Sequence, residues 1–257
     1  MLLHPTLEKL HALNLQGMLL ALKEQAQIPE AARLSFEERL GLLVDRELDE
    51  RQNRALAARL KKARLRQSAV IEDIDFRHPR GLDRTLILSL ASCQWVNKRE
   101  NCLITGPTGV GKSYLACALA QKACRERCSV RYVRASRLLQ EMGAARADGT
   151  YSRCLAALAR VDLLVLDDWG LAPLADEQRR DLLEILDDRY DRLSTMITSQ
   201  LPVEHWHDYI GHPTLADAIL DRVVHNSHRI ELSGESMRRT RATMTPDSKT
   251  QALEDMP

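Results

Sequence analysis

Apolar residues recur along this chain in two rhythms, one at helical spacing and one in short unbroken blocks. Near the start, Leu15, Met18, Leu19 and Leu22 fall at i, i+3, i+4 and i+7, which predicts an amphipathic helix that Pro29 ends. Ser35-Phe-Glu-Glu38 then has the form of a capping box, and Phe36, Leu40 and Leu43 predict a buried stripe on a second helix running to about Leu65. Residues Ser68 to Arg80 change character, and Pro79 and Gly81 punctuate a linker. Thr85 to Val96 reads as a helix leading into a strand.

From there the blocks take over. Cys102 to Ile104, Val130 to Val133, Leu163 to Leu166, Ser194 to Gln200 and His228 to Leu232 read as strands. Helical runs separate them at Tyr114 to Ala123, Ser136 to Ala147, Tyr151 to Arg160, Asp176 to Leu193 and Thr214 to His225. In the charged run from Asp176, Leu182, Leu183, Ile185 and Leu186 should bury while Arg179, Arg180, Asp187 and Asp188 face water. The continuous apolar block at Leu163 suits a central parallel strand covered on both faces. Strands alternating with helices predict an α/β three-layer sandwich on a five-stranded parallel sheet, preceded by a small all-helical domain. The expected boundaries are 1–67 for the helical domain, 68–240 for the α/β domain and 241–257 for a disordered polar tail.

Chemistry concentrates at two strand ends. The first strand enters Gly106-Pro107-Thr108-Gly109-Val110-Gly111-Lys112-Ser113, and a helix leaves it. Glycines let successive N–H groups curl around a polyphosphate, and the helix presents its positive end to the same anion. Lys112 can reach the β- and γ-phosphates of ATP, and the Ser113 hydroxyl can hold Mg²⁺. The central strand ends on Asp167-Asp168. Asp167 is expected to bind Mg²⁺ through water, opposite Ser113, and Asp168 to polarise the attacking water. The polar end of the fourth strand should face the same nucleotide, because ligands sit beyond the carboxyl ends of parallel strands.

With 37 Lys and Arg against 36 Asp and Glu, net charge is near zero, so nucleic-acid binding must come from a local patch. Arg51, Arg54, Arg59, Lys61, Lys62, Arg64 and Arg66 supply one, with no acidic residue between them. Duplex phosphates are its natural partner. If all seven charges neutralise phosphates, log K falls against log salt with a slope near −6, at about −0.9 per contact. No apolar run of membrane-spanning length occurs, and Glu8, Lys9 and His11 interrupt the first segment, so the chain reads as cytoplasmic with no membrane partner. Cys117, Cys124 and Cys128 share a face of one predicted helix and read as buried small hydrophobes. His205, His207, His225 and His228 lack partners at ligand spacing, so the metal expected is nucleotide-bound Mg²⁺.

Gly106 to Ser113, Leu163-Leu-Val-Leu-Asp-Asp-Trp-Gly170, Asp217-Ala-Ile-Leu-Asp-Arg222 and Gly234-Glu-Ser-Met-Arg238 together resemble the AAA+ ATPases of the DnaC/IstB group. Glu38-Arg-Leu-Gly-Leu-Leu-Val-Asp-Arg-Glu47 and Arg59-Leu-Lys-Lys-Ala-Arg-Leu-Arg66 resemble the IstB branch, the helper ATPases of IS21-type insertion sequences. The resemblance implies that Arg222 is an arginine finger acting on a neighbouring subunit's nucleotide, and that Arg238 is a sensor-2 arginine. Sensor 1 falls on Ser199 or Gln200, where related chains commonly show Thr-Ser-Asn. It further implies an ATPase that forms a homo-oligomer on duplex DNA, assists target selection and recruits a cognate transposase, with hydrolysis as the reset. A helicase loader, a P-loop kinase for a small metabolite and an architectural DNA-binding protein are the rival readings.

Overall fold

The structure, a computed structural model, describes residues 3–237. Arg238 and the tail from 241 to 257 lie outside the described residues. Two compact units divide at Lys61/Lys62.

The first unit is helical: α1 (Leu3–Ala12), α2 (Gln16–Gln27) and most of α3 (Phe36–Ala63). Ser35 and Glu38 cap α3 reciprocally, each side chain accepting from the other's backbone N–H at 3.2 and 2.8 Å. The join between α2 and α3 is made at a glycine. The N–H groups of Gly17 and Met18, in the first turn of α2, donate to the Glu47 carboxylate at 2.7 and 3.3 Å. A carboxylate at a helix start satisfies orphan donors and meets the positive end of the dipole. At Gly17 a Cβ would lie 2.5 Å from the Arg46 carbonyl oxygen and the Glu47 Cα, so only glycine permits this approach.

Two expectations for α3 need correcting. Phe36 is 73% exposed and Leu40 39%, so two members of the stripe read as buried face outward, together with Leu42, Val44 and Leu48, while Leu43 is half-buried. What α2 meets on α3 is polar instead: Glu47, one to three turns further along, and Arg39, whose carbonyl and guanidinium both bond the Gln25 side chain. The helix also stops at Ala63, because Arg64 takes a left-handed φ of 52°, and the last two basic residues are therefore not on it.

The second unit opens with α4 (Arg84–Ala91) and α5 (Gln94–Asn97), where one helix was expected. Cys93 breaks it with φ 57°. Then β1 (Asn101–Thr105), α6 (Lys112–Arg125), β2 (Val130–Arg134), α7 (Ala135–Ala147), α8 (Tyr151–Leu158) and β3 (Leu163–Trp169) follow in order. The unit closes with α9 (Asp176–Arg189), β4 (Ser194–Ser199), α10 (Trp206–Ile210), α11 (Pro213–Val224) and β5 (Ser227–Glu231). All strand pairings are parallel, in the order β2-β3-β4-β1-β5.

This order puts β3 and β1, the two strands that end on chemistry, on either side of β4. Leu163, Leu164, Val165 and Leu166 are fully buried, each contributing about 1.5–3 kcal/mol of apolar burial. One layer of core, including Leu138, Leu182, Ile185 and Trp206, packs α7 through α11 on the sheet. Cys117 and Cys124 are buried in α6, while Cys128 is buried just beyond its end. Burial pushes the Cys93 and Cys102 thiols up to about 12.

A buried arginine ties strand ends to α9. Arg189 donates to the carbonyls of Leu158 and Val161 at 2.6 and 2.9 Å, to that of Ser194 and to the Thr195 hydroxyl at 3.2 Å. Burial lowers its pKa to about 10.

Candidate ATP site

The phosphate loop leaves β1 at Gly106 and meets α6 at Lys112. Gly106, Gly109 and Gly111 all take positive φ, at 142°, 90° and 97°. A Cβ at Gly106 would sit 2.2 Å from the Leu232 carbonyl oxygen, so the loop is pressed against the chain leaving β5. The Lys112 ammonium donates to the carbonyls of Gly106 and Pro107, both at 2.7 Å, and so lies over the loop's own concavity.

Facing it is Asp167, completely buried and surrounded by donors from every neighbouring element. Ser113 Oγ lies 2.9 and 3.1 Å from its two oxygens. The Tyr132 hydroxyl, from β2, and the Thr198 hydroxyl, from β4, both donate to it. Arg66 approaches its Oδ2 at 3.3 Å. Burial, and then the bond to Asp167, push the Tyr132 phenol well above its usual range, so it stays a donor.

Asp168 stands differently. Its φ is 59°, and the β3–β4 register slips between Leu166 and Trp169. A bulge of this kind re-aims a side chain beside an active site. The Asp168 carboxylate consequently reaches the cleft, 3.6 Å from both Arg66 and Arg134.

The cleft holds about 410 Å³ and is lined by Lys112, Ser113, Asp168, Gln200, Arg66 and Arg80 among others. Gln200 Oε1 accepts from the Thr108 hydroxyl at 2.7 Å, which joins the end of β4 to the loop. Ser199, by contrast, donates to the Trp169 carbonyl at 2.9 Å and is buried. Gln200 is thus the member of that pair that meets the phosphate loop. Arg80 is buried beneath the loop, donating to the carbonyls of Val110 and Asp75 at 3.0 Å each. Burial draws its guanidinium below the usual value.

The remaining sequence candidates lie elsewhere. Arg222 donates to Asp187 at 2.6 Å and to the Ala218 carbonyl at 2.8 Å, on the outer side of α11, and is not among the residues lining the cleft. Arg51 bonds Glu47 at 2.7 Å, and Arg54 pairs with Glu47 and Glu50 at 3.7 and 3.8 Å. The basic run has no acid within it, but acids immediately before it neutralise its first two members. Arg66, read as its last member, belongs to the ATP site. Of the histidines, His207 faces Asp217, His225 faces Asp221 and His228 faces Glu100.

Sequence reading missed Tyr132, Thr198, Arg66 and Arg80 as parts of the site. For Thr198 the sequence offered only the polar end of the fourth strand; its place beside Asp167 follows from the register, in which its neighbour Ile197 pairs with Leu166.

Mg²⁺ and ATP fit this donor set. A hydroxyl and a carboxylate within 3 Å, hard oxygen donors both, stand opposite a lysine at the start of a helix. Bound there, ATP would present its polyphosphate to the loop N–H groups and to Lys112, with Ser113 and Asp167 available to a hard cation.

Comparison with known proteins settles the family. A family model described as IstB-like ATP binding protein matches residues 8–245. The chain belongs to the IstB-like ATP-binding family. The insertion sequence ATP-binding protein y4pL of Sinorhizobium fredii is 56% identical over 239 residues, covering 93% of this IstB-like chain and 98% of the relative. The IS1162 ATP-binding protein of Pseudomonas fluorescens is 51% identical, covering 79% and 88%, and the IS21 protein of Pseudomonas aeruginosa 34%, covering 85% and 81%. Among solved structures, DnaI matches with a TM-score of 0.54 at 24% identity, over 65% of this IstB-like chain and 92% of DnaI. That likeness is one of fold, the AAA+ P-loop sandwich. No helix among the described residues is long and apolar enough to cross a membrane.

Proposed function

We propose that this IstB-like protein is a cytoplasmic, ATP-hydrolysing transposition helper that assembles on duplex DNA and engages the transposase of its insertion sequence. The observation that carries the reading is the Ser113–Asp167 contact facing Lys112 inside a family of insertion-sequence ATP-binding proteins. Lys112 and the loop N–H groups hold the polyphosphate, Ser113 and Asp167 hold the metal, and Asp168 at the cleft edge orients the attacking water. Gln200, bonded to Thr108, is assigned to sensing the terminal phosphate.

Arg222 supports assembly. It does not line the cleft of its own chain, so a catalytic role for it requires another copy's nucleotide. Arg238 is assigned to phosphate contact in cis by resemblance alone. Hydrolysis then resets the assembly.

The test is ATP turnover measured against protein concentration, with and without long duplex DNA. Turnover per chain should rise with concentration and rise further with duplex. A concentration-independent rate indifferent to DNA would instead match a P-loop kinase or other self-contained enzyme. Stimulation by single strands over duplex would match a helicase loader.

A further inference from the structure

Arg66 is the one residue of the seven-member basic run that stands among the acids of the ATP site. Its guanidinium lies 3.3 Å from Asp167 Oδ2 and 3.6 Å from Asp168 Oδ2, spanning the two carboxylates. The other charged groups facing this pair are Arg134, at 3.6 Å from Asp168 and half exposed, and Lys112 across the cleft. Tyr132, Thr198 and Ser113 complete the shell with neutral hydroxyls.

We propose that Arg66 is a built-in counter-cation that competes with Mg²⁺ for the carboxylates of Asp167 and Asp168, and so sets how much free metal the site needs before it holds ATP tightly. Two carboxylates side by side in a low-dielectric site repel one another, and a cation between them relieves that repulsion. A divalent cation brought to the same oxygens meets Arg66 either as a rival for lone pairs or as a like charge a few ångströms away. Both effects weaken metal binding while the guanidinium stays in place. Arg66 sits three residues beyond the end of α3, after a left-handed turn at Arg64, so its backbone is held by the buried Cys117 thiol rather than by the helix, and release of the guanidinium is a side-chain movement. It acts through Asp167 and Asp168 and is a positioning residue.

The inference rests on the ATP-site reading. Binding of a fluorescent, non-hydrolysable ATP analogue to the full chain is titrated with Mg²⁺, and separately measured in EDTA. Arg66→Gln should lower the half-saturating Mg²⁺ about tenfold, with affinity in EDTA unchanged within threefold, while Arg66→Lys should stay close to the parent protein. Unchanged or increased metal demand in Arg66→Gln overturns the proposal. So does a tenfold loss of affinity in EDTA, which would make Arg66 a direct phosphate ligand. A parent protein that binds no analogue at saturating Mg²⁺ overturns the ATP-site reading itself.

A second measurement needs no variant. Trypsin cleavage after Arg66, referenced to cleavage after Arg64, should accelerate when Mg²⁺ is added to analogue-bound parent protein. A rate that is unaltered or slower counts against release of the guanidinium.

Discussion

Arg222 donates through Nε to a carboxylate oxygen of Asp187 at 2.6 Å, joining α11 to α9 on the outside of the α/β unit. Asp187 is 58% exposed, so this pair contributes at most about 1 kcal/mol to stability. Arg222→Ala should accordingly melt close to the parent protein. If Arg222 completes a neighbour's site, the same variant should bind ATP normally yet hydrolyse it about 10³-fold more slowly or worse. Mixing it with Lys112→Ala chains should restore part of the rate, because each supplies what the other lacks. Full activity of Arg222→Ala alone removes the residue from catalysis.

Lys112 and Asp168 should separate binding from turnover. Lys112→Ala loses the ammonium over the phosphate loop and should abolish nucleotide binding, measured by equilibrium fluorescence. Asp168→Asn keeps the buried shell around Asp167 and should bind ATP but turn it over poorly. Tyr132→Phe deletes one of the donors on Asp167 and should reduce turnover by about tenfold, a loss near 1.4 kcal/mol for a hydrogen bond to a charged group. A Tyr132→Phe protein as active as its parent would show that the remaining donors hold Asp167 unaided.

The helical unit has a pH limit that follows from Glu47. Burial raises its pKa, but hydrogen bonds from Arg51, Met18 and Gly17 outweigh this and leave it below the usual 4.5. Its folded value is depressed, so its stabilising contribution is present above the unfolded value and is lost as pH falls through the folded one. Protection factors for the amides of α2, with the intrinsic pH dependence of exchange divided out, should therefore fall below about pH 4.5 and be steady from there to neutrality.

Gly17→Ala tests the same contact sterically. The added methyl meets backbone atoms that cannot rotate away, and overpacking of this kind costs about 1–3 kcal/mol. Exchange protection in α2 should fall while the melting of the α/β unit is unchanged. Equal protection in both proteins would mean that α2 shifts to accept the methyl.

DNA affinity should depend on salt less steeply than the sequence suggests. Arg51 and Arg54 are engaged by Glu47 and Glu50, and Arg66 by the acids of the ATP site. At most four of the seven cations then release counterions, so the slope in log K against log salt should be no steeper than about −3.6. A slope near −6 would show that DNA strips those three from their carboxylates.

The sheet, its flanking helices and the phosphate loop were legible because their signals are contiguous: a run of apolar residues, a glycine pattern, two acids ending a strand. What escaped was set by contacts across the sequence. Tyr132 and Thr198 flank Asp167 only because β2 and β4 lie on either side of β3, an order no local pattern states. Arg66 looked like the end of a basic helix until Arg64 turned the chain. Phe36 and Leu40 follow helical spacing faithfully yet are exposed, since periodicity says which residues share a face and not what covers it.

Trp169 is fully buried one peptide beyond Asp168, with its ring 5.5 Å from that of Trp206 and 5.8 Å from that of Tyr209. The emission of an indole follows the polarity and packing around it. An unlabelled chain therefore carries an optical probe within one residue of the acid that faces the cleft, and a shift of that strand end should move its ultraviolet emission against the background of Trp95 and Trp206.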